Sequence, residues 1–393
     1  ARGAGPGPAA AGDDAAHGER GALTLLAQAL HRLRSQFDWP LALSVVPLVL
    51  IGLVNLYSAT RAAPNPNGLF VHQLYWYGIG FVLCLLVAAI DYRVIHRYSW
   101  FIYAVSVALL VLVLLSGKTV NGSKRWLGTG SLGIQPSELM KVALILAYAR
   151  LFSGDPLALE FNAWRYALAW HAILGVPALL ILKQPDLGTA LICILIAGTL
   201  LLMVRLRPLV KATVLAVDLS AAGLVFAFGL KTYQRKRLLT FLDPASDPTG
   251  AGWHAQQALF AIGSGRWVGK GYLLGTQNQL RYLPEHWTDF PFAVWAEEWG
   301  LVACLLMLVF YLLFLLWCLN LANEARDRFA RNLTIGCASL FFWHTAINIA
   351  MVSGIAPVVG VTLPLISYGG SSLLTMMLAL GLLINVSLRR YSY

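Results

Sequence analysis

The stretch LPEHWTDFPFAVWAEEWG, residues 283–300, gathers Glu285, Asp289, Glu297 and Glu298 at the edge of an apolar run. Ionisable groups in or beside such runs are costly, so each is a functional candidate by default. Carboxylates in this setting take up protons, pair with cations or cap helices. Asp289 follows Thr288 and precedes Pro291, an order suited to a helix N-terminus, where free N–H groups and the helix dipole favour a carboxylate. Glu297 and Glu298 lie about two turns deeper, and two adjacent carboxylates are not expected to hide together on one face. At least one of them needs a proton or a partner.

Three other groups carry polar chemistry. In QPSELMK, Glu138 and Lys141 are spaced i, i+3 and face each other on a helix, either as a structural ion pair or in contact with substrate. In KQPDLGTA, residues 183–190, Pro185 interrupts the helix and Asp186 is placed to cap the next one, while Lys183 is placed to meet an anionic ligand. The segment GIAPVVGVTLPLISYGGSS, residues 354–372, has glycines and prolines at membrane depth, so it either lines a cavity or forms an exterior turn. Its Ser367 and Ser371 are candidate substrate contacts. His344 and Asn348, spaced i, i+4, are candidates to line the same cavity, whereas Asp218 and His171 read as satisfied core contacts.

The elements that position these groups are apolar helices. The chain of 393 residues is 58% hydrophobic and 12% charged, against roughly 25% charged for a soluble domain. Runs of about 20 apolar residues suffice to cross a hydrocarbon core. Ten are present: 39–59, 71–90, 98–116, 135–153, 166–182, 187–204, 208–229, 290–319, 333–353 and 367–388. The runs are continuous, not alternating, which excludes a β-barrel. The expected fold is all-α, a polytopic membrane helical bundle of about ten transmembrane helices, with one membrane domain over 39–390 and a large exterior loop at 230–289.

Charge sets the orientation. Threading ten spans from an inside N-terminus leaves 16 Lys and Arg residues on the inner side and five (Arg61, Lys118, Lys124, Arg125, Lys183) in the short outer loops. Both termini are therefore expected in the cytoplasm. The net charge of +11 is spread over separate loops, which argues for membrane orientation and against nucleic acid. The five cysteines all fall inside apolar runs, without a disulfide or zinc framework. Residues 1–38 read as a cytoplasmic tail. The first twenty are a disordered tail or an appended remnant, not a signal peptide. Leu23, Leu26, Leu30 and Leu33 then share one face of an amphipathic helix for the inner leaflet, or of a simple extension of the first span. The aromatic content of the 230–289 loop argues against disorder, and WHAQQALFAI suits a short surface helix. The glycine run GSGRWVGKG fails both nucleotide-binding patterns.

The runs KRWLGTGSLGIQPSELMK, KQPDLGTA, FLDPASDPTGAGWHAQQALFAIGSGRWVGKG, GTQNQLRYLPEHWTDFPFAVWAEEWG and GIAPVVGVTLPLISYGGSS together resemble the signature segments of the shape, elongation, division and sporulation (SEDS) family. GTQNQL is more similar to the family's elongation branch than to its division branch. The resemblance implies a ten-span glycosyltransferase in the bacterial cytoplasmic membrane. It would polymerise lipid II into undecaprenyl-diphosphate-linked glycan outside that membrane, with a class B penicillin-binding protein as cross-linking partner. It places the family's essential exterior aspartate on Asp289, in TDF, and its RW tryptophan on Trp126. The family's fourth-span Glu and Lys fall on Glu138 and Lys141, and its QPDLG aspartate on Asp186. Relatives often carry His before the TDF triplet, where this chain has Trp287 with His286 one earlier.

Joining two lipid-linked disaccharides requires a base for a sugar 4-hydroxyl while a lipid diphosphate leaves the other sugar. Asp289 is the expected base. Lys124, Arg125, Lys183, Arg266, Lys270 and Arg281 are candidates for the diphosphate, and a divalent cation (Mg or Mn) is a candidate cofactor. A β-link from an α-diphosphate means inversion, which one displacement with one base supplies. The alternatives are a lipid II flippase, which needs a polar path to the inner face, and a non-enzymatic scaffold, in which Asn would replace Asp289 without loss.

Overall fold

The computed structural model describes residues 38–61, 66–120, 123–128, 133–229, 235, 237, 240–241, 251–280, 282–283 and 287–390. The N-terminal amphipathic segment and Arg281, Glu285 and His286 lie outside the described residues.

All ten apolar runs fall on helices. They are α1 (Trp39–Thr60), α2 (Pro66–Ala89), α3 (Tyr92–Ser116), α4 (Pro136–Leu151), α6 (Ala163–Lys183), α7 (Leu187–Met203), α8 (Pro208–Leu224), α11 (Pro291–Glu324), α12 (Arg328–Val352) and α13 (Gly370–Arg389). Short helices α5 (Pro156–Phe161), α9 (Ala251–Gly265) and α10 (Thr276–Gln279) lie between them, with a hairpin of β1 (Lys118–Val120) and β2 (Ser123–Trp126). Seven of the ten are long and apolar enough to span a membrane by themselves. The shorter three have 16 (α4), 17 (α7) and 17 (α8) residues, and a π turn at Val225–Gly229 extends α8.

The short helix α4 is the axis of the bundle. From Pro136 to Ala149 nearly every side chain is buried, because α3, α6, α7, α12 and α13 all pack on it. Helices α1, α2, α3 and α11 instead expose Leu43, Leu50, Phe81, Leu86, Leu115 and Leu312, a surface suited to lipid and not to water. Lipid supplies no hydrophobic drive between helices, so close backbone approach must hold them. The most extensive helix pairing is α2 with α13, where a Cβ on Gly381 would lie 2.8 Å from the Cys84 carbonyl.

One end of the bundle is rich in arginine. Arg150 donates to the His96 and Arg97 carbonyls, Arg389 to those of Ala88 and Ala89, and Arg390 pairs with Asp38 at 2.9 Å and Glu324 at 3.0 Å. The opposite end holds the irregular chain. There α11 breaks at Gly300, whose φ of 72° and ψ of −173° suit glycine alone. At the break, residues 266–271 pair with two carbonyls and two N–H groups of α11. Lys270 and Gly271 donate to the carbonyls of Glu297 and Glu298 at 3.0 Å each, while Leu301 and Val302 donate to Arg266 and Trp267 at 2.9 and 3.2 Å. This knot corrects the expectation for Glu297 and Glu298. Both are buried, because the break lets a second segment cover the side that one helix face leaves open.

Candidate active site

The irregular end opens into a cleft of about 680 Å³. Its floor comes from α4. Gln135 has extended backbone, Pro136 starts the helix without needing an N–H partner, and Glu138 and Lys141 follow on the same face. Lys141 Nζ lies 2.7 Å from Glu138 Oε1 and 2.9 Å from His344 Nε2, on α12. His344 Nδ1 lies 3.0 Å from the Thr362 carbonyl, which can only accept, so Nδ1 carries the proton and Nε2 accepts from the ammonium. Lys141 is 1% exposed, yet it and Glu138 line the cleft. Glu138 Oε2 has no hydrogen-bond partner among the described residues.

One wall is the turn between α6 and α7. Asp186 caps α7 through the Thr189 N–H at 3.1 Å and also accepts from the Thr189 hydroxyl at 2.9 Å. Gln135 Nε2 adds a third donor, 2.8 Å from Asp186 Oδ2, so the carboxylate both caps the helix and faces the cleft. Arg125, at the end of β2, donates through Nε to the Gln184 carbonyl at 2.9 Å and through Nη2 to that of Pro185. This fixes the hairpin over the turn and brings Trp126 to the cleft wall.

The opposite wall is the segment between α12 and α13, which lines the cleft and is not an exterior turn. Val361, Leu363, Leu365 and Ile366 are buried. Side chains from three helices satisfy its backbone: Asn348 donates to Val361 at 2.6 Å, Tyr311 to Pro364 at 2.5 Å, Tyr77 to Leu365 and Gln73 to Ser367 at 3.4 Å. Non-helical backbone survives at membrane depth only under such satisfaction. Asn348 Nδ2 also reaches the Asp289 carbonyl at 3.0 Å, and the Tyr368 N–H reaches the Trp287 carbonyl at 2.8 Å. These bonds hold the Trp287–Asp289 turn against the segment. Asp289 is half-buried at the rim: its neighbour Thr288 lines the cleft, and its Oδ2 lies 3.6 Å from where a Cβ on the cleft residue Gly360 would stand. The N-cap position of α11 falls on Phe290, one residue past the aspartate.

The cleft thus gathers Arg125, Trp126, Glu138, Lys141, Asp186 and Ser371, with Asp289 at its rim. Other expected contacts fall elsewhere. Lys124 and Lys183 are exposed and do not line it, because the hairpin and the end of α6 turn them outward. Ser367 Oγ accepts from the Leu363 N–H at 2.7 Å, closing a local turn. Arg266 is exposed and Lys270 is paired with Glu297, so neither reaches the cleft. His171 and Asp218 are partners, with Nε2 and Oδ1 3.2 Å apart, but both are partly exposed and not core.

Sequence reasoning covered Tyr368 and Ser372 only as part of the cavity-lining segment 354–372, and missed Gln135 and His72 as cleft residues. Gln135 had a legible signal, a polar residue directly before the proline that starts α4. His72, whose Nδ1 lies 3.2 Å from the Tyr368 hydroxyl, comes from the other end of the chain and had none.

The comparisons with known proteins agree with this architecture. The FtsW/RodA/SpoVE family, described as Cell cycle protein, matches residues 37–392. Peptidoglycan glycosyltransferase MrdB of Escherichia coli K12 is 37% identical over 346 residues, 87% of this chain and 92% of the relative. Peptidoglycan glycosyltransferase RodA of Treponema pallidum is 34% identical over 91% of this chain and 98% of its own. Among solved structures, one concerning structural coordination of polymerization and crosslinking by a peptidoglycan synthase complex has a chain that superposes with TM-score 0.76. That chain is 34% identical and is covered over 99% of its length by 91% of this one. The Thermus thermophilus rod shape determining protein RodA superposes with TM-score 0.67 at 29% identity, over 91% of this chain and 98% of that one. On its motifs, its helical architecture and a match running nearly end to end, this chain belongs to the FtsW/RodA/SpoVE family of multi-pass membrane proteins.

Proposed function

We propose that this chain is a peptidoglycan glycosyltransferase of cell elongation that joins lipid II units into glycan outside the cytoplasmic membrane, with Asp289 as general base. The observation that carries the reading is the placement of one half-buried carboxylate at the rim of a cleft whose floor is an amine braced by Glu138 and His344. Asp289 takes the proton from the 4-hydroxyl of the acceptor sugar. Its carbonyl bond to Asn348 fixes the turn from which that carboxylate projects. Lys141 and Arg125 supply positive charge for the departing diphosphate, and Trp126 supplies a flat surface for a sugar ring. Single displacement at the anomeric carbon inverts α to β and needs no covalent enzyme intermediate.

A resident divalent metal does not fit the cleft as built from this chain. No group of three or more His, Cys, Asp or Glu side chains converges among the described residues, and Asp186 already accepts three hydrogen bonds. The steps above therefore run through side chains alone.

The flippase alternative needs a polar path through the bundle. Below Lys141, α4 continues as Val142–Ala149, all buried and all apolar but for the Tyr148 hydroxyl, which is bonded to the Trp170 carbonyl. That closed floor favours an enzyme working at one face. The arginine-rich end suits the cytoplasmic side, which supports a cleft facing outward and termini facing the cytoplasm. Similarity to a chain of a peptidoglycan synthase complex supports a class B penicillin-binding protein as partner. The test is glycan polymerisation from purified lipid II with that partner present. The parent should make long glycan and Asp289→Asn should not, while remaining folded and partner-bound; equal activity of the two would overturn the base role.

A further inference from the structure

Arginines at the end of the bundle away from the cleft fall into two sets. Arg150 and Arg389 donate to backbone carbonyls, and Arg390 pairs with Asp38 and Glu324. Arg326, Arg328 and Arg331 instead line one recess of about 310 Å³, between the end of α11 and the start of α12. A general excess of positive charge on the inner side explains how many arginines stand at this end. It does not explain why three of them share one space.

The recess is held open and positive. Its one carboxylate, Asp327, is engaged with its own protein: Oδ1 accepts from the Ala330 N–H at 2.8 Å, capping α12, and Oδ2 accepts from the Tyr92 hydroxyl of α3 at 2.7 Å. Phe329 is buried against the rings of Tyr92 and His96, with centroids 6.4 and 4.5 Å away, which fixes the first turn of α12 on α3. Arg328 donates through Nη1 to the Gly154 carbonyl. All three arginines are exposed. Guanidinium groups gathered around an accessible space suit an anion, and their paired N–H groups match phosphate oxygens.

The neighbouring surface indicates what carries the phosphate. Leu312, Leu316 and Leu319 of α11, spaced i, i+4, i+7, are each more than half exposed and form an apolar stripe. Asn323, four residues further on the same face, lines the recess, so the stripe leads into it. A free ion would use the arginines and leave the stripe idle, whereas a phosphate bearing acyl chains uses both. Basic pockets between transmembrane helices on the cytoplasmic side hold lipid phosphates in this way. A zwitterionic headgroup would bring its own ammonium among three guanidinium groups, so the match is to an anionic lipid.

We infer that the recess between α11 and α12 binds the phosphodiester headgroup of an anionic phospholipid whose acyl chain lies along Leu312, Leu316 and Leu319. The site is at the opposite end from the cleft and does not rest on the polymerase reading.

Native mass spectrometry of the full chain, released from detergent after removal of bound lipid, tests it. Phosphatidylglycerol should bind at least about 10-fold more tightly than phosphatidylcholine with the same acyl chains. Combining Arg326→Gln with Arg331→Gln should weaken phosphatidylglycerol binding about 30-fold, from roughly fivefold for each arginine near an anionic surface, with the melting temperature unchanged. Combining Arg205→Gln with Arg207→Gln removes the same charge from exposed positions at the turn between α7 and α8, and should leave that binding as in the parent. Equal binding of the two lipids, or equal losses in the two double variants, would overturn the inference in favour of general surface charge. Glycerol phosphate at the lipid's concentration should not displace it; displacement would make the ligand a soluble phosphoester. Lipid binding retained in the Arg326 and Arg331 double variant, with loss of a penicillin-binding partner, would assign the recess to a protein instead.

Discussion

Two lysine–glutamate pairs lie near the same end of the bundle at almost the same distance. Lys141 sits 2.7 Å from Glu138 on the cleft floor, and Lys270 sits 2.6 Å from Glu297 in the knot. The first joins neighbours on one helix, so it holds no tertiary structure by itself. It faces about 680 Å³ of open volume, and its lysine is shared with His344. The second joins residues 27 apart in sequence and fastens a loop over a broken helix. Separation and burial do not distinguish a working pair from a fastening one. Adjacent open volume and the sequence distance bridged do.

The largest effect that sharpens this contrast is at Asp289. Replacing it with Asn should lower lipid II polymerisation by about 10²- to 10⁴-fold, the range for loss of a general base, while the melting temperature in detergent stays near that of the parent. A comparable loss of melting temperature would make the aspartate another fastener. Next in size is Lys141→Met, which leaves the Glu138 carboxylate buried without its cation. The expected cost is about 3–5 kcal/mol, seen as a lower melting temperature. Adding Glu138→Gln should recover most of the stability and none of the activity. Recovery of both would reduce this pair to a structural one.

On the knot side, Gly300→Ala should destabilise by about 1–3 kcal/mol, because the backbone there has φ 72° and a Cβ would press on the Gly269 backbone nitrogen. Limited proteolysis should then cut within 266–280 sooner than in the parent. Unchanged protection would mean that the loop is held without the helix break.

Most of the fold was legible in the sequence because the bilayer imposes one simple rule: about 20 apolar residues make one helix. All ten runs became helices, including α4, whose buried Glu138 and Lys141 neutralise each other one turn apart. The cleft was legible where its residues are neighbours in sequence, as in QPSELMK and QPDLGTA. It was not legible where one backbone segment decides the direction of several side chains. Ser367 and Ser371 are four residues apart in similar company, yet one closes a turn and the other faces the cleft at the start of α13. The burial of both Glu297 and Glu298 was hidden for a related reason. It depends on a glycine with positive φ and on a loop that reaches back from about thirty residues upstream.

The smallest effect tests how finely the cleft is tuned. Gln135 spends its Nε2 on Asp186 at 2.8 Å and on the Ser137 hydroxyl at 2.9 Å, while its own N–H is held by Ser371 Oγ at 3.0 Å. Gln135→Ala removes the side-chain bonds and leaves the backbone one. Asp186 keeps both bonds from Thr189, so the capped start of α7 should survive, and the stability cost should be about 1 kcal/mol. The catalytic effect should exceed that cost, since the Asp186 carboxylate would be free to turn within a cleft that must align two sugars. A 1 Å misplacement is worth up to about 100-fold in rate. Polymerisation assayed beside thermal unfolding separates the two. A rate loss larger than the stability loss makes Gln135 a positioning residue of the cleft, whereas a matched loss makes it part of the packing between α4 and α7.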